Sequence, residues 1–242
     1  MSINPDFKDF ALSYSGFEGG NLNAKYWFCG IENSPNKYSP IIQNSKSFKV
    51  ADVWPEGFKP KNIQLDLKEA YYLRMAKIAY VIKTGEYPSC DDVKKYFISG
   101  EGKGKFFTKA SDFNKLNLYP LAFTAVEGNN EWKSGKWDKL TGIQSKKEYY
   151  EWCNEHRAKA LQKWIEKSKC AILICTGLSF TKPYFTNLFG AYDKNVKDMR
   201  IYTPAAIRKV KHIVEIPIYG SVKDKTLYDV GLKIRELGRG NG

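Results

Sequence analysis

A chain of 242 residues, 43% of them hydrophobic and 15% aromatic, can bury one large α/β core, and nothing in it forces a second domain. No apolar run approaches the length of a membrane span, and Met1-Ser2-Ile3-Asn4-Pro5-Asp6 lacks the basic and apolar regions of a signal peptide, so a cytoplasmic monomer without membrane contact is expected. The formal net charge of +13 turns attention to phosphate backbones, because its lysines are interleaved with aromatics and glycines instead of forming one tail.

Residues 1–23 show no clear period and read as a lead-in to the first strand. Tyr26-Trp27-Phe28-Cys29-Gly30 is a short apolar run ending in glycine, the pattern of a strand buried on both faces of a parallel sheet. Ligands bind outside the carboxyl ends of such strands, which sets Glu32 and Asn33 at the mouth of a site. A solvated turn is the plainer reading of Glu32. The next segment, 36–61, follows Pro35 and holds Pro40, Pro55 and Pro60; it reads as a long irregular excursion whose Trp54 and Phe58 cover the site.

Asp66, with Glu69 three residues on, opens a helix that carries Leu67, Ala70, Tyr71, Ile78 and Ile82 to a stop at Gly85. A second helix runs from Ser89, with Asp92 in the capping position, to Ile98, and these two form a helical insertion around 59–100. Gly100-Glu101-Gly102-Lys103-Gly104-Lys105 is one residue short of a phosphate loop, continues into Phe106 where Ser or Thr is required, and follows a helix; it reads as a basic loop able to touch a phosphate backbone.

Leu116-Asn117-Leu118-Tyr119-Pro120-Leu121 is the second strand-like segment, in which Asn117 is otherwise a turn former. After a basic connection with Trp132 and Trp137, Ser145 and Glu148 make a capping box for a long helix bearing Tyr150, Cys153, Leu161, Trp164 and Ile165. Cys170–Cys175 is a buried strand ending at Thr176-Gly177. A short helix through Tyr184, Leu188 and Phe189, a strand from Arg200, a strand Ile213–Ile218 and a helix with Leu227, Val230, Ile234 and Leu237 complete the chain before a tail, 238–242, that looks disordered. This alternation predicts a single α/β domain over 1–242, with a central, mainly parallel four-stranded sheet and helices on both faces. The five cysteines (Cys29, Cys90, Cys153, Cys170, Cys175) form no Cys-x-x-Cys pair and read as free thiols, and with two histidines neither a metal nor another cofactor is expected.

Three strand ends carry chemistry in chain order: Gly30-Ile31-Glu32-Asn33, then Asn117-Leu118-Tyr119-Pro120-Leu121, then Ile216-Pro217-Ile218-Tyr219-Gly220-Ser221. With the arginine-bearing helix of Arg157 running into a strand between the second and third, this order resembles the uracil-DNA glycosylase superfamily. The resemblance implies hydrolysis of the N-glycosidic bond of a flipped base in DNA. Glu32 and Asn33 then stand where water or the sugar cation is handled, and Asn117 where the base is read. Asn117-Leu-Tyr-Pro-Leu is similar to the Asn-x-Cys-Pro-Leu form of single-strand-selective members.

Ile31, Tyr119, Trp54 and Phe58 would line the base, and Lys103, Lys105, Ser179, Tyr219, Gly220, Ser221 and Lys223 would contact DNA. The third motif departs from the family: Ile216 stands where a histidine is normal, and His212, about 13 Å away along a strand, is no easy replacement. The pattern is most similar to bacterial antiphage glycosylases that remove glucosylated hydroxymethylcytosine, which implies a defence role. Uracil or deaminated-base repair, and a non-catalytic nucleic-acid-binding module on the same scaffold, remain alternatives.

Overall fold

The structure is a computed structural model that describes residues 2–31, 47–123, 130–177, 185, 189, 193–196, 199–202, 210–218 and 222–239. In chain order the described elements are α1 (Pro5–Ala11), β1 (Gly19–Gly20), β2 (Tyr26–Gly30), α2 (Ile63–Asp66), α3 (Ala70–Thr84), α4 (Cys90–Ile98), β3 (Phe113–Asn117), α5 (Asn130–Ser134), α6 (Trp137–Thr141), α7 (Lys146–Glu166), β4 (Ile172–Thr176), β5 (Lys194–Val196), β6 (Met199–Tyr202), β7 (His212–Ile216) and α8 (Asp224–Arg239).

The fold is α/β, but among the described residues the sheet has seven strands and is mixed, in the order β1-β3-β2-β4-β7-β6-β5. Strands β3, β2, β4 and β7 run parallel to one another, while β1 pairs antiparallel with β3 and the β6–β5 ribbon antiparallel with β7. The strand read from Arg200 is β6, joined antiparallel to β7, while β1 and β5 were not expected, for a physical reason. Gly19 and Gly20 have no side chain to show a period, and β5 is three residues long.

All five residues of β2 are buried, as are those of β3 and β4. Side chains alternate along β2 between two cores. Trp27 and Cys29 join one with Phe7 and Phe10 of α1, Trp132, Trp137, and Tyr149, Cys153 and Leu161 of α7. Tyr26 and Phe28 join the other with Ile78 and Ile82 of α3, Val93 and Phe97 of α4, and Leu227, Val230 and Ile234 of α8. Helices therefore cover both faces, and α2 to α4, lying in sequence between β2 and β3, all serve the second core.

Several boundaries move from where the sequence placed them. The lead-in is in part a helix: the Asn4 side chain accepts from the Asp6 amide at 2.9 Å and Pro5 starts α1. Asp66 ends the short α2 and does not open the long helix, which starts at Ala70 behind Glu69. The β3 strand begins three residues earlier than Leu116 and ends at Asn117, yet pairing continues beyond it, the Leu118 and Tyr119 amides donating to the Gly30 and Ile31 carbonyls at 2.8 Å each. The tail also changes, since α8 runs to Arg239 and Lys25 Nζ donates to the Gly238 carbonyl at 2.8 Å.

Two sequence signals hold as read. The Ser145 hydroxyl accepts from the Glu148 amide at 3.2 Å and donates to that carboxylate at 3.0 Å, and Ser89 caps α4 through the Asp92 amide at 3.1 Å. All five cysteines are free thiols, and only Cys90 is exposed. No helix among the described residues is long and apolar enough to cross a membrane.

Candidate active site

Gly30, Asn117 and Thr176 end three adjacent parallel strands, and a network of buried polar groups connects them. Gly30 and Asn117 are register partners. A side chain at position 30 would put its Cβ 2.4 Å from Asn117 Oδ1, 2.9 Å from the Tyr71 hydroxyl and 3.0 Å from Lys115 Nζ, so only glycine lets these three groups meet under the end of β2.

Lys115 and Asn117, two apart on β3, project to the same face of the sheet. The Lys115 ammonium, fully buried, donates to Asn117 Oδ1 at 2.6 Å and to the Leu116 carbonyl at 3.0 Å, and pairs with Glu18 at 3.5 Å. Asn117 Nδ2 donates to the Gly16 carbonyl at 2.9 Å and to Glu18 at 2.8 Å, and the Tyr72 hydroxyl donates to Glu18 at 3.1 Å. The Thr176 hydroxyl donates to the Cys29 carbonyl at 3.2 Å, which leaves Tyr71 as the donor in the 2.7 Å bond between their hydroxyls. Burial pulls the Lys115 ammonium down, but Glu18 and Tyr71 outweigh it and hold its pKa above the ordinary value. Burial raises both tyrosine hydroxyls, Tyr72 further through Glu18.

Arg157 of α7 places the segment that brings Glu18 here. Its fully buried guanidinium donates to the carbonyls of Leu118 at 3.0 Å, Ser13 at 3.1 Å, Ser15 at 2.7 Å and Ala11, and it lies 4.9 Å from the Phe17 ring centroid. Burial pushes its pKa down to about 10, so it stays charged at neutral pH. Gly16 follows in a left-handed conformation, φ 83°, pressed so closely on Pro120 that a Cβ would sit 2.7 Å from its Cα.

The residues expected at the site divide. Glu32, Asn33, Ser179, Tyr219, Gly220 and Ser221 lie outside the described residues. Asn117 is at the strand ends, but both its N–H groups are taken up by Gly16 and Glu18. Tyr119 and Ile31 are core residues on the opposite face, and the Tyr119 hydroxyl donates to Asn154 at 3.0 Å. Trp54 packs with Tyr14, Phe17 and Trp27 on that face, whereas Phe58 packs with Tyr72, Phe106 and Phe107 on the other; the two do not form a common wall.

Lys103 and Lys105 are exposed, but Lys105 borders a cavity of about 60 Å³ with Asp112 and Phe113 at the amino end of β3, away from Asn117. Lys223, exposed just before α8, does follow the carboxyl end of β7. His212 lies at the amino end of β7 opposite Ile172, and Ile216 is fully buried. A cleft of about 460 Å³ beside α1, between Asp9, Tyr14, Asp52 and Trp164, includes neither Gly30 nor Asn117. Among the described residues no three His, Cys, Asp or Glu side chains come together as metal ligands.

Beyond Asn117, the network consists of residues that the sequence did not single out for chemistry: Glu18, Lys115, Tyr71, Tyr72 and Thr176. Near the third motif there is a further buried carboxyl, Glu215, which accepts from the Tyr202 hydroxyl at 2.6 Å and from Arg200 at 3.3 Å. Burial raises its carboxyl, with Tyr202 and Arg200 pulling against that rise.

Asp66 stands close enough to Tyr72 to raise that hydroxyl, and burial lifts its own carboxyl to about 6 from 3.8. The folded chain thus holds a proton that the unfolded chain releases between these values. Stability falls as pH rises through that window and stays reduced above it. Asp66→Asn is expected to leave stability unchanged at pH 3.5 and to raise it at pH 7 by about 1 kcal/mol, discounted for partial exposure. Urea denaturation at the two pH values measures this.

Comparison of the chain with protein-family models, with curated proteins and with solved structures returns no match.

Proposed function

We propose that the chain is a monofunctional DNA glycosylase that hydrolyses the N-glycosidic bond of a flipped, non-canonical pyrimidine and leaves an abasic site, with glucosylated hydroxymethylcytosine of phage DNA as the favoured substrate. The observation that carries this reading is the register pairing of Gly30 with Asn117 at the carboxyl ends of parallel strands. The backbone of the first motif thus meets the amide of the second, two residues before Glu32. The excess of positive charge suits a DNA substrate.

Breaking this bond builds positive charge on the sugar and negative charge on the base. A carboxylate beside C1′ and hydrogen bonds to the base edge then act more strongly in the transition state than in the ground state. In this reading Glu32 supplies the carboxylate, positioning or activating water, and Asn117 meets the base. Base flipping brings the nucleotide to the strand ends.

The buried Ile216 at the histidine position and the engaged amide of Asn117 favour a second reading, a nucleic-acid-binding module without catalysis. Mass spectrometry of bases released from unmodified, uracil-containing, hydroxymethylcytosine-containing and glucosylated oligonucleotides separates the two. Release of a modified base is expected, with Glu32→Gln slower by at least about 100-fold and DNA binding retained. Binding to every oligonucleotide with release from none overturns the enzymatic reading.

A further inference from the structure

We infer that Lys115 and Glu18 are positioning residues that fix which way the Asn117 amide faces at the strand ends; the inference rests on the glycosylase reading and extends it to residues outside the three motifs. An ammonium only donates, so the atom of Asn117 that lies 2.6 Å from Lys115 Nζ must be the carbonyl oxygen. A carboxylate and a backbone carbonyl only accept, so the atom at 2.8 Å from Glu18 and 2.9 Å from Gly16 must be the amide nitrogen.

Turning the amide over would set N–H groups against an ammonium and an oxygen against a carboxylate in a site closed to water. The orientation is therefore decided by charge as well as by packing. Lys115 is fully buried, and the Glu18 side chain is only 8% exposed, so solvent does not screen the choice.

A pair placed so deep is a poor device for stability alone, because desolvation offsets most of its attraction. Its geometric product is one defined face of Asn117. An amide free to turn would present a donor and an acceptor by turns to the same base edge, and only one of these matches any given base.

The test removes the pair without leaving a lone buried charge. Lys115→Met/Glu18→Gln is compared with the wild type on oligonucleotides carrying glucosylated hydroxymethylcytosine or uracil. Single-turnover base release is measured together with DNA binding and with the exchange of the Asn117 side-chain amide protons in ¹⁵N spectra. The wild type is expected to show two protected Asn117 protons. The double variant should fold and bind DNA as the wild type does, lose that protection and release base about 100-fold more slowly.

An active wild type whose double variant keeps its rate, or Asn117 protons that exchange freely in the wild type, overturns the positioning role. A wild type that releases no base while those protons stay protected overturns the glycosylase reading and leaves the fixed amide standing.

Discussion

Replacing Lys115 by methionine is expected to lower the free energy of unfolding by about 3–5 kcal/mol, because it leaves the Glu18 carboxylate buried without its cation. The loss is large against a total of about 5–15 kcal/mol for a domain. The ammonium also accounts for one bond to Asn117 and one to the Leu116 carbonyl, and methionine replaces neither. The companion change Glu18→Gln removes the stranded charge and keeps an amide in reach of Asn117 and Tyr72. The double variant should therefore recover most of the loss, a non-additivity that is read from urea denaturation of the four proteins in a double-mutant cycle. Additive effects in that cycle would mean that the two charges do not act as a pair.

Arg157→Met is expected to cost a similar amount, about 3–5 kcal/mol, through another route. Four backbone carbonyls, of Ala11, Ser13, Ser15 and Leu118, share one guanidinium inside the fold, and methionine leaves all four without that donor. Lysine should not rescue the loss, since a single ammonium cannot reproduce a planar fork that spans two segments of chain. Because Arg157 fixes residues 11–15 and Glu18 follows directly, the variant should also loosen the Lys115 network. Hydrogen exchange at the Asn117 side chain is the check, and unchanged protection there together with wild-type stability would refute the account.

How far the sequence disclosed this arrangement depends on which signals are local. The strand Tyr26–Gly30, the apolar run of β4 and the capping box at Ser145 are legible because each depends on its own few residues. The exit of β2 at Gly30 follows from that legible part, whereas its meeting with Asn117 was expected from the order of the three motifs and from no local signal. Lys115 was not legible, because a lysine between Asn114 and Leu116 reads as a surface residue unless its partner is known, and Glu18 lies nearly a hundred residues away. Starting the strand at Phe113 would have set Lys115 and Asn117 on one face, and that spacing was the one available hint.

Trp54 and Phe58, four residues apart in an irregular stretch, gave no sign that they enter cores on opposite sides of the sheet. Composition could mark both as apolar, but only tertiary packing assigns a side. The amino-terminal helix was in principle readable, from Asn4 followed by Pro5 and an acidic first turn.

The two short flanks of the sheet have a consequence for the behaviour of the protein at high concentration. On one margin the glycine pair of β1 is already engaged, Gly20 donating to the Pro55 carbonyl at 3.0 Å and Gly19 bridged to Glu56. On the other, β5 is three residues long and opens with Lys194. Among the described residues neither margin offers a long run of unpaired amides on which a foreign strand could template, which guards the parallel interior against edge-to-edge growth into fibrils.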